Sequence, residues 1–166
     1  KMLTHTIPPI FSKDSRVLIL GTFPSVKSRE SGFYYGHPQN RFWKLLSEIL
    51  KYPLPDSIDE KIKLLNENRI ALWDVIDSCE VVGSADSSIR NVVPNDIMKI
   101  ISQSSIQSIF LNGKTAEKLW LKYCAPHISR DLPVKTLPST SPANAAYTYK
   151  MLQDEWSIIA SALFVN

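Results

Sequence analysis

The chain has 166 residues, 44% of them hydrophobic and 21% charged, with a formal net charge of +3. That balance describes a globular chain, read as a single domain over 1–166 with a full core, and not a disordered one. The mild positive charge permits a nucleic-acid partner without arguing for one. Two cysteines, Cys79 and Cys124, stand far apart and form no metal-spaced pair, so a zinc site or a four-cysteine iron–sulfur cluster is excluded. They read as buried free thiols of a reducing, cytoplasmic compartment. No apolar run approaches the ~18 residues of a membrane span, and KMLTHT at the start has no signal-peptide pattern.

Pro8 and Pro9 make residues 1–15 an irregular lead-in. VLIL (Val17 to Leu20) marks a first strand over 16–21, and GTFPS (Gly21 to Ser25) follows it. A long loop, 22–37, carries Gly32, Tyr34, Tyr35 and Gly36. Pro38 then fits the first turn of a helix whose apolar face is Phe42, Leu45, Leu46, Ile49 and Leu50. Ser57 with Glu60 makes a capping box for a helix anchored by Ile58, Ile62 and Leu65. A second strand over 69–74 ends in LWD (Leu72 to Asp74). Residues 77–93, rich in Ser and Asp, read as a second long loop, and Asn95 or Asp96 caps a short helix. A third strand over 106–111 runs into LNGK (Leu111 to Lys114) and a helix with Ala116, Leu119, Trp120, Tyr123 and Cys124 inward. A fourth strand over 133–137 runs into LPSTSPANA (Leu137 to Ala145), and one last helix carries Met151, Leu152, Glu155 or Trp156, Ile159, Ala162 and Leu163.

Strands alternating with helices predict an α/β fold of three layers, α/β/α, around a four-stranded parallel sheet. Ligands of such sheets bind outside the carboxyl ends of the strands, where all four polar signatures would gather. GTFPS lacks the glycine spacing of a dinucleotide or phosphate loop; it offers a proline turn and the hydroxyls of Thr22 and Ser25. FYYGHPQNRFW (Phe33 to Trp43) combines aromatics, His37, Asn40 and Arg41. Tyr34 and Tyr35 either stack on a nucleobase or close over the core edge. Asn40 is either a site amide or a helix cap, and His37 before proline reads more readily as structural. Phe42 and Trp43 are core by periodicity. Ser139, Thr140 and Ser141, with free backbone N–H groups, suit phosphates or a helix cap. Asn112 either reads a base edge in two-point fashion or forms a turn. Asp74 and Asp77 are either acid–base groups or loop caps.

Together these segments resemble the uracil-DNA glycosylase superfamily over roughly residues 16–160. In that family motif 1 follows the first strand as G-x-x-P-x and motif 2 follows the last strand around Pro-Ser; GTFPS and LPSTSP stand in those places. YYGHPQNRFW is similar to the His-Pro-x-Asn-Arg-Phe-Trp of the mismatch-specific uracil and thymine glycosylases. Most branches keep Asp, Asn or Glu inside motif 1 and His at the start of motif 2, where this chain has Thr22, Phe23 and Leu137. Both departures resemble the hypoxanthine-DNA glycosylase, or DNA-deoxyinosine glycosylase, branch.

The resemblance implies a uracil-DNA glycosylase-like fold and a monofunctional base-excision repair enzyme. Its reaction would be hydrolysis of the N-glycosidic bond of a deaminated base, expected to be hypoxanthine. Asn40, from the HP-x-N segment, would orient the water through its side-chain oxygen. Backbone N–H groups at Thr22 and Phe23 would steady the departing base. Tyr35 would stack on the flipped base and Asn112 would read its edge. Ser25, Lys27, Ser139, Thr140 and Ser141 would hold DNA, and Pro142 to Ala145 would wedge into the minor groove. No metal, cofactor or membrane is implied; the partner is damaged DNA and the chain is expected to act as a monomer. A uracil- or mismatch-specific enzyme, a catalytically silent nucleic-acid-binding module and an unrelated nucleotide enzyme stand as the alternatives.

Overall fold

The computed structural model describes residues 2–81 and 89–164. Four strands form the expected parallel sheet, β2 (Val17–Gly21), β3 (Ile70–Asp74), β6 (Ser108–Asn112) and β7 (Val134–Leu137), in the order β3-β2-β6-β7. All five residues of β2 are buried, as a central strand covered on both faces requires. The alternation of its side chains divides the core. Val17 and Ile19 join Leu72, Phe110 and Leu137 under α2 (Phe42–Leu50), α3 (Ile58–Glu67), α6 (Tyr149–Trp156) and α7 (Ile158–Leu163). Leu18 and Leu20 join Ala71, Ile109 and Leu111 under α4 (Ile97–Ser102) and α5 (Lys114–Leu119). The parallel register aligns the strand ends: Gly21 lies beside Asp74, and Asn112 beside Leu137.

Several expectations are corrected. Residues 1–15 are not all irregular. Met2–Thr4 is a strand, β1, and Ile10 exchanges two backbone hydrogen bonds with Leu72, covering the outer edge of β3. Residues 77–93 are not one loop. Ile76–Val81 (β4) and Ile89–Pro94 (β5) pair antiparallel, and with β1 they make a second sheet in the order β1-β4-β5. Two register shifts within that pairing break the strict alternation by which a strand is recognised in sequence; residues 82–88 of the expected loop lie outside the described residues. The final helix is two helices that divide at Ser157.

The loop 22–37 contains a short helix, α1 (Val26–Ser31), capped by Ser25, whose Oγ accepts the Ser28 N–H at 3.1 Å, and Pro38 lies in a turn before α2, not in its first helical turn. Ser57 caps α3 as expected, through the Glu60 N–H at 3.1 Å. Of the two candidates at α4, Asp96 is the cap. Asn95 is instead a buried tie, donating to the carbonyls of Asp74 and Ile76. Beyond α5 the helix widens into a π-helical turn (Trp120–Cys124) and then tightens into a 3₁₀ turn (Ala125–His127). Among the described residues no helix is long and apolar enough to cross a membrane.

Candidate functional site

A cleft of about 750 Å³ opens at the carboxyl ends of β2, β3 and β6. Thr22, Phe23, Ser25, Lys27, Tyr35, Asn40, Asn112, Ser139, Thr140 and Ser141 all line it, as do Gly21, His37 and Asp74; Pro142 is not among the lining residues. Strand ends, the loop before α2 and the loop after β7 therefore bring together residues up to about 120 positions apart in sequence. Among the described residues no cluster of His, Cys, Asp and Glu could hold a metal ion.

The centre of the site is a three-residue network. Thr140 is fully buried, and its N–H donates to Asn112 Oδ1 at 3.1 Å while its Oγ1 accepts Asn112 Nδ2 at 3.1 Å. Having accepted there, the Thr140 hydroxyl sends its proton to Asn40 Oδ1, at 2.9 Å. Asn40 Oδ1 also accepts the Phe42 N–H at 3.0 Å, satisfying a first-turn donor of α2. Backbone N–H groups can only donate, so both amides have a fixed orientation.

Three corrections follow. The Asn40 oxygen carries two hydrogen bonds, its full complement, so it does not orient a water; Nδ2 is what Asn40 offers the cleft. Asn112 meets Thr140 through both amide atoms, so it offers a base one N–H and one lone pair as separate contacts rather than a two-point edge. Thr140, expected at DNA, has no exposed surface and is an internal tie.

The loop after β7 is braced from within. Ser139 Oγ accepts the Ser141 N–H and Ser141 Oγ accepts the Ala143 N–H, each at 3.1 Å. The backbone N–H groups of Thr140, Ser141 and Ala143 are thus committed and not free for phosphates; the hydroxyl protons of Ser139 and Ser141 remain as donors. Arg41 clamps the same loop. Its guanidinium donates to the carbonyls of Ser141 (2.9 Å), Asn144 (3.1 Å), Thr140 (3.4 Å) and Tyr147, and its backbone N–H to Thr140 (3.1 Å). Gly113, at φ +100°, lies so close to Ser139 that a Cβ there would stand 3.0 Å from the Ser139 Cβ.

Tyr34 and Tyr35 divide the two roles left open for them. Tyr34 is core, its hydroxyl donating to the Pro8 carbonyl at 2.8 Å. Tyr35 holds a left-handed backbone (φ 54°) and lies flat on Phe42, with ring centroids 4.1 Å apart at 19°. Its hydroxyl is buried and makes no hydrogen bond of good geometry among the described residues, although the Asn112 side chain is close enough to act on it. Burial and the Asp74 carboxylate push its pKa up, while the Asn112 side chain pulls it down.

Asp74 is buried, and Oδ2 meets His5 Nε2 at 2.9 Å. His5 Nδ1 accepts the Ile7 N–H at 3.2 Å, so the imidazole proton sits on Nε2 and donates to the carboxylate. Asp77 is on β4, and its carbonyl accepts the His5 N–H. His37 shapes the entry to α2, its Nδ1 accepting the Gln39 N–H and its carbonyl the Asn40 N–H. Ser25 and Lys27 are exposed at the cleft mouth, Lys27 beside Glu30 at 3.6 Å. The roles of His5 and Arg41 are not legible in the sequence. Arg41 sits inside a segment that was singled out; His5 gave no signal, since nothing marked the lead-in as paired.

The model of the uracil DNA glycosylase superfamily matches residues 8–162. A hypoxanthine DNA glycosylase of Methanosarcina acetivorans is 32% identical over 160 residues, covering 95% of this chain and 98% of that protein. Another, of Methanosarcina barkeri, is 33% identical over 116 residues, covering 68% and 73%. A solution structure from Methanosarcina acetivorans, of a protein assigned to the uracil DNA glycosylases, superposes with a TM-score of 0.79 at 29% identity, over 98% and 99% of the two chains.

Proposed function

The chain belongs to the uracil DNA glycosylase superfamily, and on that footing we propose that it hydrolyses the bond between hypoxanthine and deoxyribose in DNA. The observation that carries this reading is the Asn40–Thr140–Asn112 network facing the cleft. The network holds amide N–H donors ready without a reorganisation at the moment of reaction. A departing purine takes up negative charge on ring nitrogens and on O6, all hydrogen-bond acceptors. Asn40 Nδ2 and the remaining Asn112 N–H suit that charge, which makes Asn40 a stabiliser of the leaving base. The similarity to a hypoxanthine DNA glycosylase over 95% of this chain supports the choice of base.

The flipped nucleotide enters between the strand ends, and its base lies on the face of Tyr35 opposite Phe42. Backbone groups at Thr22 and Phe23 line the same wall. Ser25, Lys27, Ser139 and Ser141 hold the flanking phosphates with hydroxyl and ammonium donors. Pro142, beside the cleft, leads the segment that enters the minor groove. The protein acts as a monomer on damaged DNA, without a cofactor.

The test is a panel of duplex and single-stranded oligonucleotides holding hypoxanthine, uracil, xanthine or a mismatch, scored for abasic sites. Hypoxanthine is expected to be excised fastest. A strong preference for uracil would move the protein to another branch, and binding without any cleavage would make it a silent module.

A further inference from the structure

Hydrolysis of a glycosidic bond needs an acceptor for the proton of the attacking water, and Asn40 cannot supply it. Its oxygen is filled by Phe42 and Thr140. Among the described residues lining the cleft there is one carboxylate, Asp74. We propose that Asp74, oriented by His5, is the carboxylate of the reaction, taking the water proton and steadying the positive charge on the sugar. The proposal rests on the glycosidic function proposed above.

The geometry comes from the sheet register. Asp74 ends β3 directly beside Gly21, the first residue of GTFPS. Because Gly21 has no side chain, Asp74 and Tyr35 can close in on its Cα. A Cβ on Gly21 would stand 2.5 Å from Asp74 Oδ1 and 2.8 Å from the Tyr35 hydroxyl. A carboxylate oxygen and a buried phenolic hydroxyl thus lie close together at the cleft wall. A water needs two or more polar partners in such a place, and these two are complementary: Tyr35 donates to its oxygen and Asp74 accepts its proton.

The electrostatics point the same way. His5 meets Asp74 with both side chains almost wholly buried (3% and 5% exposed). His5 is held in the tautomer that donates from Nε2, because Nδ1 accepts from Ile7. Among the described residues, His5 Nε2 is the hydrogen-bond donor to that carboxylate. Burying an anion is costly. A cation forming in the cleft relieves that cost, so the stabilisation is felt in the transition state more than in the ground state.

In the step itself, the water oxygen bonds to C1′ and the bond from C1′ to the base nitrogen breaks. The electron pair leaves with the base. One water proton passes to Asp74 Oδ1 and on to solvent, and the base is protonated from solvent. Water adding to an oxocarbenium-like carbon becomes strongly acidic, so a carboxylate is a sufficient acceptor.

The alternative is that His5 and Asp74 only pin β1 to the sheet. Single-turnover rates on a hypoxanthine duplex, set beside DNA affinity and melting temperature, separate the two. Asp74→Asn keeps the shape and an acceptor for His5 but removes the charge. Its rate should fall on the order of 100-fold with DNA affinity within about twofold. His5→Ala should fall about tenfold, and the double variant should be no slower than Asp74→Asn, because His5 acts through Asp74. Asp74→Asn that is folded and within about threefold of the wild-type rate overturns the proposal. Should Asp74→Asn not fold, a folded His5→Ala at the wild-type rate overturns it equally. Both failures leave an active wild type. A wild type that excises nothing from the panel overturns the glycosidic function, and this proposal with it.

Discussion

Thr140→Val tests the network at its hub. Valine has nearly the same shape, so packing in this fully buried position is preserved while one hydroxyl is lost. Two hydrogen bonds go with it, to Asn40 Oδ1 and from Asn112 Nδ2. Each contributes about 1 kcal/mol, and the Asn112 N–H, 8% exposed as a residue, is left to bear part of its desolvation cost. The sum is about 2–3 kcal/mol. For a chain of this length about 2–4 °C of melting temperature accompanies each kcal/mol, so the variant should melt about 4–12 °C lower. Asn40 keeps only the Phe42 N–H and can swing about it, so the single-turnover rate should fall about tenfold or more. Thr140→Ser restores the hydroxyl and should recover most of the rate, although the missing methyl costs about 1 kcal/mol. Thermal melts and single-turnover excision, measured on all three proteins well below their transitions, decide the matter. A valine variant with wild-type melting and wild-type rate would show that the hydroxyl orients neither amide.

Other outcomes follow from the same geometry. Asn40→Ala should lose on the order of 10²–10³ in excision rate and about 1 kcal/mol of stability together, since one side chain serves both the cleft and the first turn of α2. Asn40→Asp keeps the acceptor and removes the N–H donor; a rate as low as that of Asn40→Ala is expected, and a rate near wild type would return the oxygen to the mechanism. Tyr35→Phe deletes a buried hydroxyl that makes no hydrogen bond of good geometry among the described residues, so its melting temperature should change little, whereas its excision rate should fall if the hydroxyl holds a water. DNA affinity should fall with salt at a log–log slope of roughly −3, as for ~3–4 neutralised phosphates; a flat plot would count against nucleic acid as the partner. Burial pushes the Cys124 thiol up to about 11. The unfolded chain then loses this proton at lower pH than the folded one, so stability should fall as pH rises from about 9 to about 11, and less so in Cys124→Ala.

The parallel sheet was legible because its signal is redundant. VLIL, IALW and IFL (Ile109 to Leu111) are unbroken apolar runs, each followed by Gly, Asp or Asn, and helical spacing fills the intervals. The second sheet was not legible for the opposite reason. β1 has three residues, β4 pairs with β5 through two register shifts, and Ser and Asp populate the segment, so local pattern and composition both suggested a loop. What fixes that sheet is tertiary. Asn95 ties the carbonyls of Asp74 and Ile76 from the far end of β5, and no local rule predicts a contact of that kind.

At the site, sequence identified which residues gather but not how each is used. Polar residues after strand ends go to one edge of a parallel sheet, and that rule collected Asn40, Asp74, Asn112 and Ser139 in one cleft. Use depends on hydrogen-bond accounting, which needs partners from elsewhere in the chain. Thr140 is 100 residues from Asn40 and 28 from Asn112, and only its burial between them turns a presumed DNA contact into a tie. The same accounting bears on the missing acid of motif 1. A side chain at Gly21 would collide with Asp74 Oδ1, so an empty Cβ position there and a carboxylate on the neighbouring strand belong to one arrangement. Thr22 and Phe23 taken alone suggest a lost function. With β3 alongside, the negative charge stands one strand away, and it is held by a histidine from a segment that looked like lead-in.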